Sequence, residues 1–498
     1  MSKVSSPPVS DEPRLQRTLN PSTKLWAGYL GPAGNQYIAV GAGRSANIVA
    51  PFQLQPLHCN KRATMTQTTK PFEIVIAGAG IAGLATAVAL AAPGRRITLL
   101  EQSRLNREVG ANISLQPNAV KIAKRFLQLD TYLFGDDSLG RGVPDKAFLL
   151  YGTDDKLHMK IELSTEQYGE DRVCFHRVDL HSALRHAALD SGAHIHTSSR
   201  VTEVDTEAGK VWLEDGSEMS ADLIIGADGI RSAVRAAVVQ ADAPALPTGL
   251  SAFRTLIPMD DLKDIQGLPE GVQLGEDQTL MIVGRDRRLV MGPSRSGTVL
   301  GVVGLVPDTD RTKESSSWNC EVSVQEFSEQ FNDFPAWTRE LIARSVEPSI
   351  WQLRDIAPLA AWHRGKAVLI GDAAHAMLPT QGQGASQSFE DAEALQYLLR
   401  DIGSNSSKEE LERALAAVYA ARIERASLIQ AYSRQQAKPG TSAAGKVTLN
   451  PREFMDYNCN YEGCQSWLAR QAAQTSNTHT AAASSLFDAV APAAVPSS

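Results

Sequence analysis

Three glycine-bearing segments contain the residue types from which dinucleotide sites are built. They are GAGIAG at residues 78–83, GADGIRS at residues 226–232 and GDAAH at residues 371–375. In the first segment, Gly78 permits a tight turn, Gly80 lets the backbone approach a pyrophosphate, and Gly83 allows close packing of a helix on a strand. This segment therefore predicts a site for a dinucleotide.

The elements around the first segment complete this prediction. PFEIVIA predicts a buried strand, IAGLATAVALAA a helix rich in small residues, and RRITLLEQ a second strand that leads to Glu101. The helix N-terminus presents free N–H groups and partial positive charge to phosphates. Glu101 lies 18 residues after Gly83, near the place where an acid binds a ribose hydroxyl. The alternatives are a plain strand-to-helix turn and, for Glu101, a surface acid.

The GDAAH segment indicates which dinucleotide binds. Asp372 follows a buried-looking strand and could accept hydrogen bonds from a polyol, which FAD has in its ribityl chain and a nicotinamide dinucleotide lacks. Gly384 and Ala385 begin a helix whose N-terminus would stabilise negative charge on a reduced flavin. The alternative for Asp372 is a helix N-cap. We expect FAD as the cofactor.

The GADGIRS segment places Asp228 at the end of a strand, shortly before Arg231 and Ser232. An acid and an arginine beside a pyrophosphate can position both FAD and an incoming pyridine nucleotide. The alternative is a turn in which Asp228 makes an Asx hydrogen bond.

With these motifs in this order and spacing, the chain resembles the FAD-dependent aromatic hydroxylases. These are single-component flavoprotein monooxygenases of the salicylate hydroxylase type, here closest to a fungal secondary-metabolism branch, and the resemblance covers about residues 71–435. It implies these cofactor contacts: Glu101 with the adenosine ribose, Ala111 and Arg177 beside the flavin, Val201 with adenine through its backbone, Asp372 with the ribityl chain, and Ala385 with the flavin ring. The alternative for Arg177 is a surface position at a helix start.

The resemblance also implies a reaction. NADPH or NADH would reduce FAD, O₂ would add to give a C4a-hydroperoxide, and one oxygen atom would pass to a small aromatic or polyketide-type substrate. Water must be kept away from that intermediate. The alternatives are a halogenase, reductase or epoxidase with the same FAD site, and a non-catalytic escort protein of the same fold.

The substrate side of the resemblance depends on Arg254, in SAFRTLIP. This arginine could bind a carboxylate or phenolate, or stabilise the flavin peroxide; the alternative is a salt bridge at a sheet edge. Relatives often have a Tyr-Pro pair where this chain has Gly292 and Pro293, so a tyrosine that would order a phenol is missing. His176, His363 and His375 are candidate bases, although each is more often structural.

The predicted fold is α/β: a Rossmann-like FAD-binding domain with a parallel sheet, and an inserted substrate domain on a mixed or antiparallel sheet. The FAD domain is expected at residues 71–248, with some substrate-domain insertion near 112–175, and again at 351–435 with the C-terminal helices. Short strands predict the substrate sheet at 249–350, and residues 324–346 are predicted to be helical. We expect residues 1–70 to be a disordered leader and residues 436–498 a partly disordered tail.

Composition excludes several other functions. The formal charge of −7, with no basic stripe, argues against nucleic-acid binding. The five cysteines match no zinc or disulfide spacing, so we expect no metal, and no apolar run is long enough for a membrane span. We expect a cytoplasmic protein, or a mitochondrial one if the basic, acid-poor segment 1–70 is a transit peptide.

Overall fold

Strands and helices alternate along the chain, and a computed structural model describes residues 70–105, 111–135, 137–308, 319–437, 447 and 449–477. The strands are β1 (Phe72–Ala77), β2 (Arg95–Leu100), β3 (Asn112–Leu115), β4 (Val143–Asp145), β5 (Ala147–Gly152), β6 (Leu157–Glu162), β7 (Arg172–His176), β8 (His194–His196), β9 (Val201–Asp205), β10 (Lys210–Leu213), β11 (Glu218–Ser220), β12 (Leu223–Gly226), β13 (Leu246–Pro258), β14 (Gln278–Val283), β15 (Arg288–Ser294), β16 (Val299–Pro307), β17 (Asn319–Glu321), β18 (Val346–Asp355), β19 (His363–Arg364) and β20 (Ala367–Leu369). The α-helices are α1 (Ile81–Leu90), α2 (Pro117–Arg125), α3 (Asp130–Leu133), α4 (Thr165–Tyr168), α5 (Arg177–Asp190), α6 (Ala233–Val239), α7 (Val324–Glu329), α8 (Ala336–Ala343), α9 (Asp372–His375), α10 (Gly384–Leu398), α11 (Lys408–Ala437), α12 (Pro451–Cys459) and α13 (Cys464–Asn477).

A six-stranded sheet forms the first layer, in the order β19-β20-β12-β1-β2-β8. Every pair in it is parallel except β19 with β20. The central strand β1 is buried along nearly its whole length because helices cover both faces of a parallel sheet, and this explains its continuous apolar sequence. The predicted Rossmann-like sheet is therefore confirmed.

An eight-stranded sheet forms the second layer, in the order β17-β18-β13-β16-β15-β14-β5-β6. Its pairs are antiparallel except β14 with β5, so the sheet is mixed, as predicted. The strands β5 and β6 come from the chain segment between β2 and β8, and they join this sheet rather than the first. The small sheet β3-β7-β4 also comes from that segment.

The sequence wrongly predicted one continuous helix over residues 324–346. The structure has two short helices there, α7 and α8, and the strand β18 begins at Val346. Pro335 lies at the start of α8 in extended backbone, and it has no N–H with which to continue a helix.

The C-terminal segment contains more ordered packing than its Ala- and Ser-rich composition indicates. Helices α12 and α13 lie within residues 436–498, and Phe454, Cys459 and Tyr461 are buried. The aromatic ring of Phe454 stacks on Tyr432 of α11 at 3.7 Å between centroids. Burial of a few large side chains thus holds these helices, although no long apolar period marks them. The predicted leader, apart from Lys70, and the last residues from 478 lie outside the described residues.

A buried charge cluster connects α10 with α11. Glu390 accepts hydrogen bonds from Arg425 at 2.7 and 2.8 Å and from Asn118 at 2.6 Å, and it forms an ion pair with Arg422. Glu390 and both arginines are fully buried. Coulombic attraction to the two guanidiniums lowers the pKa of Glu390 although burial opposes its ionisation.

No described helix is long and apolar enough to cross a membrane. Within the described ranges, His, Cys, Asp and Glu side chains form no group that could bind a metal ion, and the four described cysteines are free thiols.

We expect Glu390→Gln to destabilise the protein by about 3–5 kcal/mol, because it leaves two buried guanidiniums without their shared counter-charge. Urea denaturation followed by circular dichroism measures the change. The matched control is Glu409→Gln, an exposed position in the first turn of α11, which should leave the unfolding midpoint unchanged. Equal midpoints for the two variants would contradict a stabilising role for the cluster.

Candidate functional site

A cavity of about 650 Å³ lies between the two sheet layers and is lined by residues from both. Its walls include the N-terminus of α1, the start of α10, the loop at α9 and one face of the eight-stranded sheet. It brings together seven residues that the sequence predicted for the site: Gly80, Ala111, Arg177, Arg254, Asp372, Gly384 and Ala385. These residues come from opposite halves of the chain.

The three glycines of the first motif differ in their surroundings. Gly78 has φ +97°, and a Cβ there would lie 2.4 Å from the carbonyl oxygen of Ala227. A Cβ at Gly83 would lie 2.0 Å from the carbonyl oxygen of Gly78, so Gly83 permits α1 to pack on the turn. A Cβ at Gly80 would meet no atom within 4 Å. Gly80 therefore faces open space at a helix N-terminus, which fits a pyrophosphate.

Asp372 follows Gly371, whose φ of +56° produces a sharp turn into the short helix α9. The Asp372 side chain is open to the cavity, while protein surrounds it on other sides. Desolvation raises the pKa of its carboxyl, against the opposing charges of His375, Arg177 and Arg235. In the described part of the chain, no side chain or N–H donates a hydrogen bond to this carboxylate. A carboxylate in this state fits a hydroxyl-rich ligand such as the ribityl chain.

Asp391 on α10 holds the turn at Gly371 in place. One carboxylate oxygen, Oδ2, accepts from the Gly371 N–H at 2.8 Å and lies 2.7 Å from His375 Nε2. The other accepts from Arg422 Nε at 2.9 Å. Although burial opposes the charge, His375 and Arg422 lower the pKa of Asp391 to about 2. Sequence reasoning missed Asp391; the sequence shows it as an acid next to Glu390 in the predicted helix that follows the GDAAH segment.

Two of the three candidate bases also have structural partners. His375 is buried against Asp391, and His176 is buried beside Asp179, with its Nδ1 3.1 Å from Arg295. His363 is half-buried on β19 and does not line the cavity; burial lowers its pKa.

Ala111 and Arg177 lie next to each other although 66 residues separate them. The Arg177 N–H donates to the Ala111 carbonyl at 2.8 Å, where β3 pairs with β7. Arg177 is the first residue of α5, and both residues line the cavity. This pairing places a guanidinium beside the chain segment at which the resemblance puts the flavin.

The other predicted cofactor residues lie outside the cavity lining. Glu101 accepts hydrogen bonds from the backbone N–H groups of Ala79 at 2.9 Å and Ser103 at 2.8 Å, so it sits beside the glycine turn. Val201 is buried at the start of β9, two residues after Ser199, whose N–H bonds to the Glu101 carbonyl. Glu101 is therefore fixed to the glycine turn, and neither residue belongs to the cavity lining.

The carboxylate of Asp228 is engaged at the start of α6. It accepts from the N–H groups of Ala233 at 2.7 Å and Val234 at 3.2 Å, and from the Ser232 hydroxyl. Burial raises the pKa of this carboxyl. These donors lie four to six residues ahead of Asp228, so its side chain caps the start of α6 and does not form the Asx hydrogen bond of the turn alternative; its neighbours Ala227 and Gly229 line the cavity.

Arg254 is a cation in the cavity, and no acid among the described residues forms an ion pair with it. Its guanidinium lies over the Trp351 ring, 5.5 Å from the centroid. Burial, with a smaller effect of nearby Arg177, lowers the pKa of Arg254 to about 10. An anionic ligand would supply the missing counter-charge. The sheet-edge salt-bridge alternative is not seen: β13 is an interior strand, and no described acid pairs with Arg254.

Asn112 lies next to Gly292, the position at which this chain has no tyrosine. Its Nδ2 donates to the Gly292 carbonyl at 2.9 Å, and a Cβ at Gly292 would lie 2.7 Å from Thr279 Oγ1. A larger side chain at Gly292 would therefore displace Asn112 or Thr279. Sequence analysis missed the polar side chains in this wall, because strand sequences do not indicate which of them meet across sheets.

Comparison with known proteins agrees with this geometry. A family model described as FAD binding domain matches residues 71–417. The chain is 31% identical to hispidin-3-hydroxylase of Neonothopanus nambi over 75% of this chain and 90% of that protein, and 32% identical to salicylate hydroxylase of Pseudomonas putida over 67% and 78%. The solved structure of a salicylate hydroxylase substrate complex aligns with TM-score 0.66 at 24% identity, over 81% of this chain and 98% of that one.

A pair of glycine substitutions tests the cofactor cradle. We expect Gly80→Ala to leave the stability of the FAD-free protein nearly unchanged but to weaken FAD binding at least about tenfold, because the methyl group enters the space of the ligand. Gly83→Ala should instead destabilise the FAD-free protein by about 1–3 kcal/mol through overpacking. Thermal unfolding without FAD and fluorescence titration with FAD measure the two effects; unchanged FAD affinity in Gly80→Ala would contradict the placement.

Proposed function

Since the chain belongs to the FAD-binding-domain family and is a FAD-dependent monooxygenase, we propose that it uses NAD(P)H and O₂ to insert one oxygen atom into a small acidic aromatic or polyketide-type molecule. The observation that carries the substrate proposal is Arg254. It is a partly buried, desolvated cation with which no acid in the described part of the chain pairs, and it lies in the same cavity as the dinucleotide cradle. A carboxylate or phenolate supplies that charge.

The residues assigned to FAD are described in order along the cofactor, from its adenosine end to its flavin ring. Glu101 and Val201 bind the adenosine end, Gly78, Gly80 and Gly83 with Asp228 shape the pyrophosphate turn, Asp372 binds the ribityl chain, and Ala111, Arg177, Gly384 and Ala385 surround the flavin ring. When bound, FAD would supply the redox chemistry, namely hydride acceptance from NAD(P)H and activation of O₂; one oxygen atom would pass to the substrate and the other would leave as water. The first sheet layer is the cofactor domain, and the eight-stranded sheet is the substrate domain.

The protein contributes charge, orientation and dryness. Arg254 binds and orients the anionic end of the substrate. The helix N-terminus at Gly384, together with Arg177, stabilises negative charge on the reduced cofactor. Apolar side chains of the sheet face, among them Val290 and Val303, exclude water from the reacting atoms.

The halogenase alternative calls for a lysine facing the substrate. Among the described residues that line the cavity there is no lysine, so no observation favours halogenation.

Isotope incorporation tests the proposal directly. FAD-loaded protein is offered aromatic and polyketide-type acids with NADH or NADPH under ¹⁸O₂, and products are examined by mass spectrometry. We expect substrate-stimulated NAD(P)H oxidation and a product that contains one labelled oxygen atom. Oxidation that yields only H₂O₂ with every acid, or a halogenated product when chloride or bromide is added, would contradict the proposal.

Arg254→Met should leave FAD content unchanged while the KM for an accepted acid rises about 10–100-fold and more NAD(P)H is lost to H₂O₂, because the anion loses its charged donor. Arg254→Lys should recover part of the affinity through its charge. The control is Arg344→Met, which changes a partly exposed arginine at the end of α8, outside the cavity lining, and should behave as wild type. If Arg254→Met has the wild-type KM and loses no more NAD(P)H to H₂O₂ than the wild type, Arg254 does not bind the substrate.

A further inference from the structure

We infer that the cavity holds a second substrate anchor, formed by Arg172 with Thr279 and Asp145, and that it binds a neutral oxygen of an elongated, two-ring acid whose anionic end lies at Arg254. This inference rests on the proposed function, because the ligand is taken to be the molecule that is oxygenated.

Arg172 is a buried side chain that reaches the cavity. The residue is 7% exposed, and its guanidinium lies 5.7 Å from the centroid of the Phe148 ring, another cavity residue. Its Nη2 donates to Ser114 Oγ at 3.2 Å and its Nη1 forms an ion pair with Asp145, whereas Nε has no hydrogen-bond acceptor among the described residues. Buried N–H groups without acceptors are costly, so a ligand acceptor here would be stabilising.

Asp145 fixes this anchor from behind the cavity wall. Its Oδ2 lies 2.8 Å from Arg172 Nη1 and accepts hydrogen bonds from the Thr279 hydroxyl at 2.6 Å and the Cys174 thiol at 3.1 Å. Asp145 is fully buried and does not line the cavity, whereas Arg172, Cys174 and Thr279 do. Asp145 is therefore a positioning residue, and its charge compensates that of Arg172.

The two arginines consequently select different oxygens. Arg172 already has an acid partner, so a second anion beside it would be left uncompensated next to Asp145. A phenolic hydroxyl or a carbonyl, which is neutral, suits it better. Arg254 has no acid partner within the described ranges, and it suits a carboxylate or phenolate. One ligand that satisfies both anchors has one acidic oxygen and one neutral oxygen.

Strand register gives the distance between the anchors. Arg254 pairs with Val303, Val303 with Val290, and Val290 with Met281. Thr279 lies two residues from Met281 on the same strand, so three strand intervals separate Thr279 from Arg254. At a spacing of about 4.8 Å between strands and about 3.4 Å per residue along a strand, the Cα atoms of Thr279 and Arg254 lie about 16 Å apart.

The surface between the anchors is apolar. Val303, Val290 and Met281 form a cross-strand row that continues to Leu150 on β5, and all four line the cavity. A single six-membered ring is shorter than the span between the anchors. Two linked or fused rings cover the row and reach both ends. The cavity thus favours a flat, two-ring acid with a distal hydroxyl or carbonyl.

Calorimetric binding to the FAD-loaded protein tests this inference without turnover. The probes are 4′-hydroxybiphenyl-4-carboxylate and biphenyl-4-carboxylate, which differ only in the distal hydroxyl. We expect the wild type to bind the hydroxylated acid about tenfold more tightly, as for a hydrogen bond to a charged donor. Failure of both acids to bind, or equal affinity for the two, would overturn the inference.

Variants assign the discrimination to Arg172. Arg172→Lys keeps the charge beside Asp145 but lacks the guanidinium fork, and it should bind both acids with equal affinity, within twofold of the wild-type value for the unsubstituted acid. If Arg172→Lys folds poorly, the double variant Arg172→Met with Asp145→Asn replaces it, because this variant removes both charges together. It should also bind the two acids with equal affinity. Arg254→Met should weaken both acids equally and keep the tenfold ratio.

Three outcomes separate this inference from the proposed function. A tenfold ratio that persists in both Arg172 variants overturns the second anchor. Loss of FAD retention in those variants also overturns it, since Arg172 would then serve the cofactor. If both acids bind with the expected ratio but no acid takes up labelled oxygen in the isotope assay, the anchor stands and the proposed oxygenation fails.

Discussion

The site depends on one buried carboxylate, Asp391, which fastens the turn at Gly371. Its two oxygens bind the Gly371 N–H, His375 and Arg422, so a backbone turn after β20 is tied to α11 through α10. The charge is fully buried, and such a charge is tolerated only when it is paired and hydrogen-bonded. The rigid result is a turn that aims Asp372 into the cavity while Asp372 itself keeps its carboxylate for a ligand.

The same network couples the cofactor region to the end of the chain. Arg425 bonds to Glu390 and also donates to the carbonyls of Tyr457 and Asn458, and Glu393 accepts from the Cys464 N–H. Helices α12 and α13 are thereby fixed to α10, whose N-terminus lines the cavity. Met455 on α12 lines it as well. Helix α12, which few sequence signals mark, is therefore part of the wall around the site, and α13 is fixed to α10 behind it.

Residue types within short segments predicted the turns and helices that depend on neighbouring residues. The turn at Gly78 and the helices beginning at Arg177 and Gly384 follow from residue types within a short window, so the parallel sheet and its cofactor turn could be predicted. The sequence also predicted that the substrate domain has a mixed or antiparallel sheet, but not its order of strands. Asp391, Arg172 and Asn112 could not be predicted as site residues, because their partners lie on strands or helices that are distant in sequence and meet only in the packed fold. The prediction of a helix over residues 324–346 was wrong because it gave too little weight to Pro335, which lies between the two helices and directly precedes the second.

Charge compensation is the feature that distinguishes the ends of the cavity. Both Arg172 and Arg254 are desolvated, yet of the two only Arg172 has an acid of the described residues, the fully buried Asp145, within an ion-pair distance. A desolvated cation without a partner disfavours its own charge, which is why the pKa of Arg254 falls, and it regains that free energy when an anion binds. A desolvated cation with a partner gains little from a second anion. The two arginines therefore bind different groups: Arg254 an anionic oxygen and Arg172 a neutral one. This difference gives a bound ligand one orientation in the cavity.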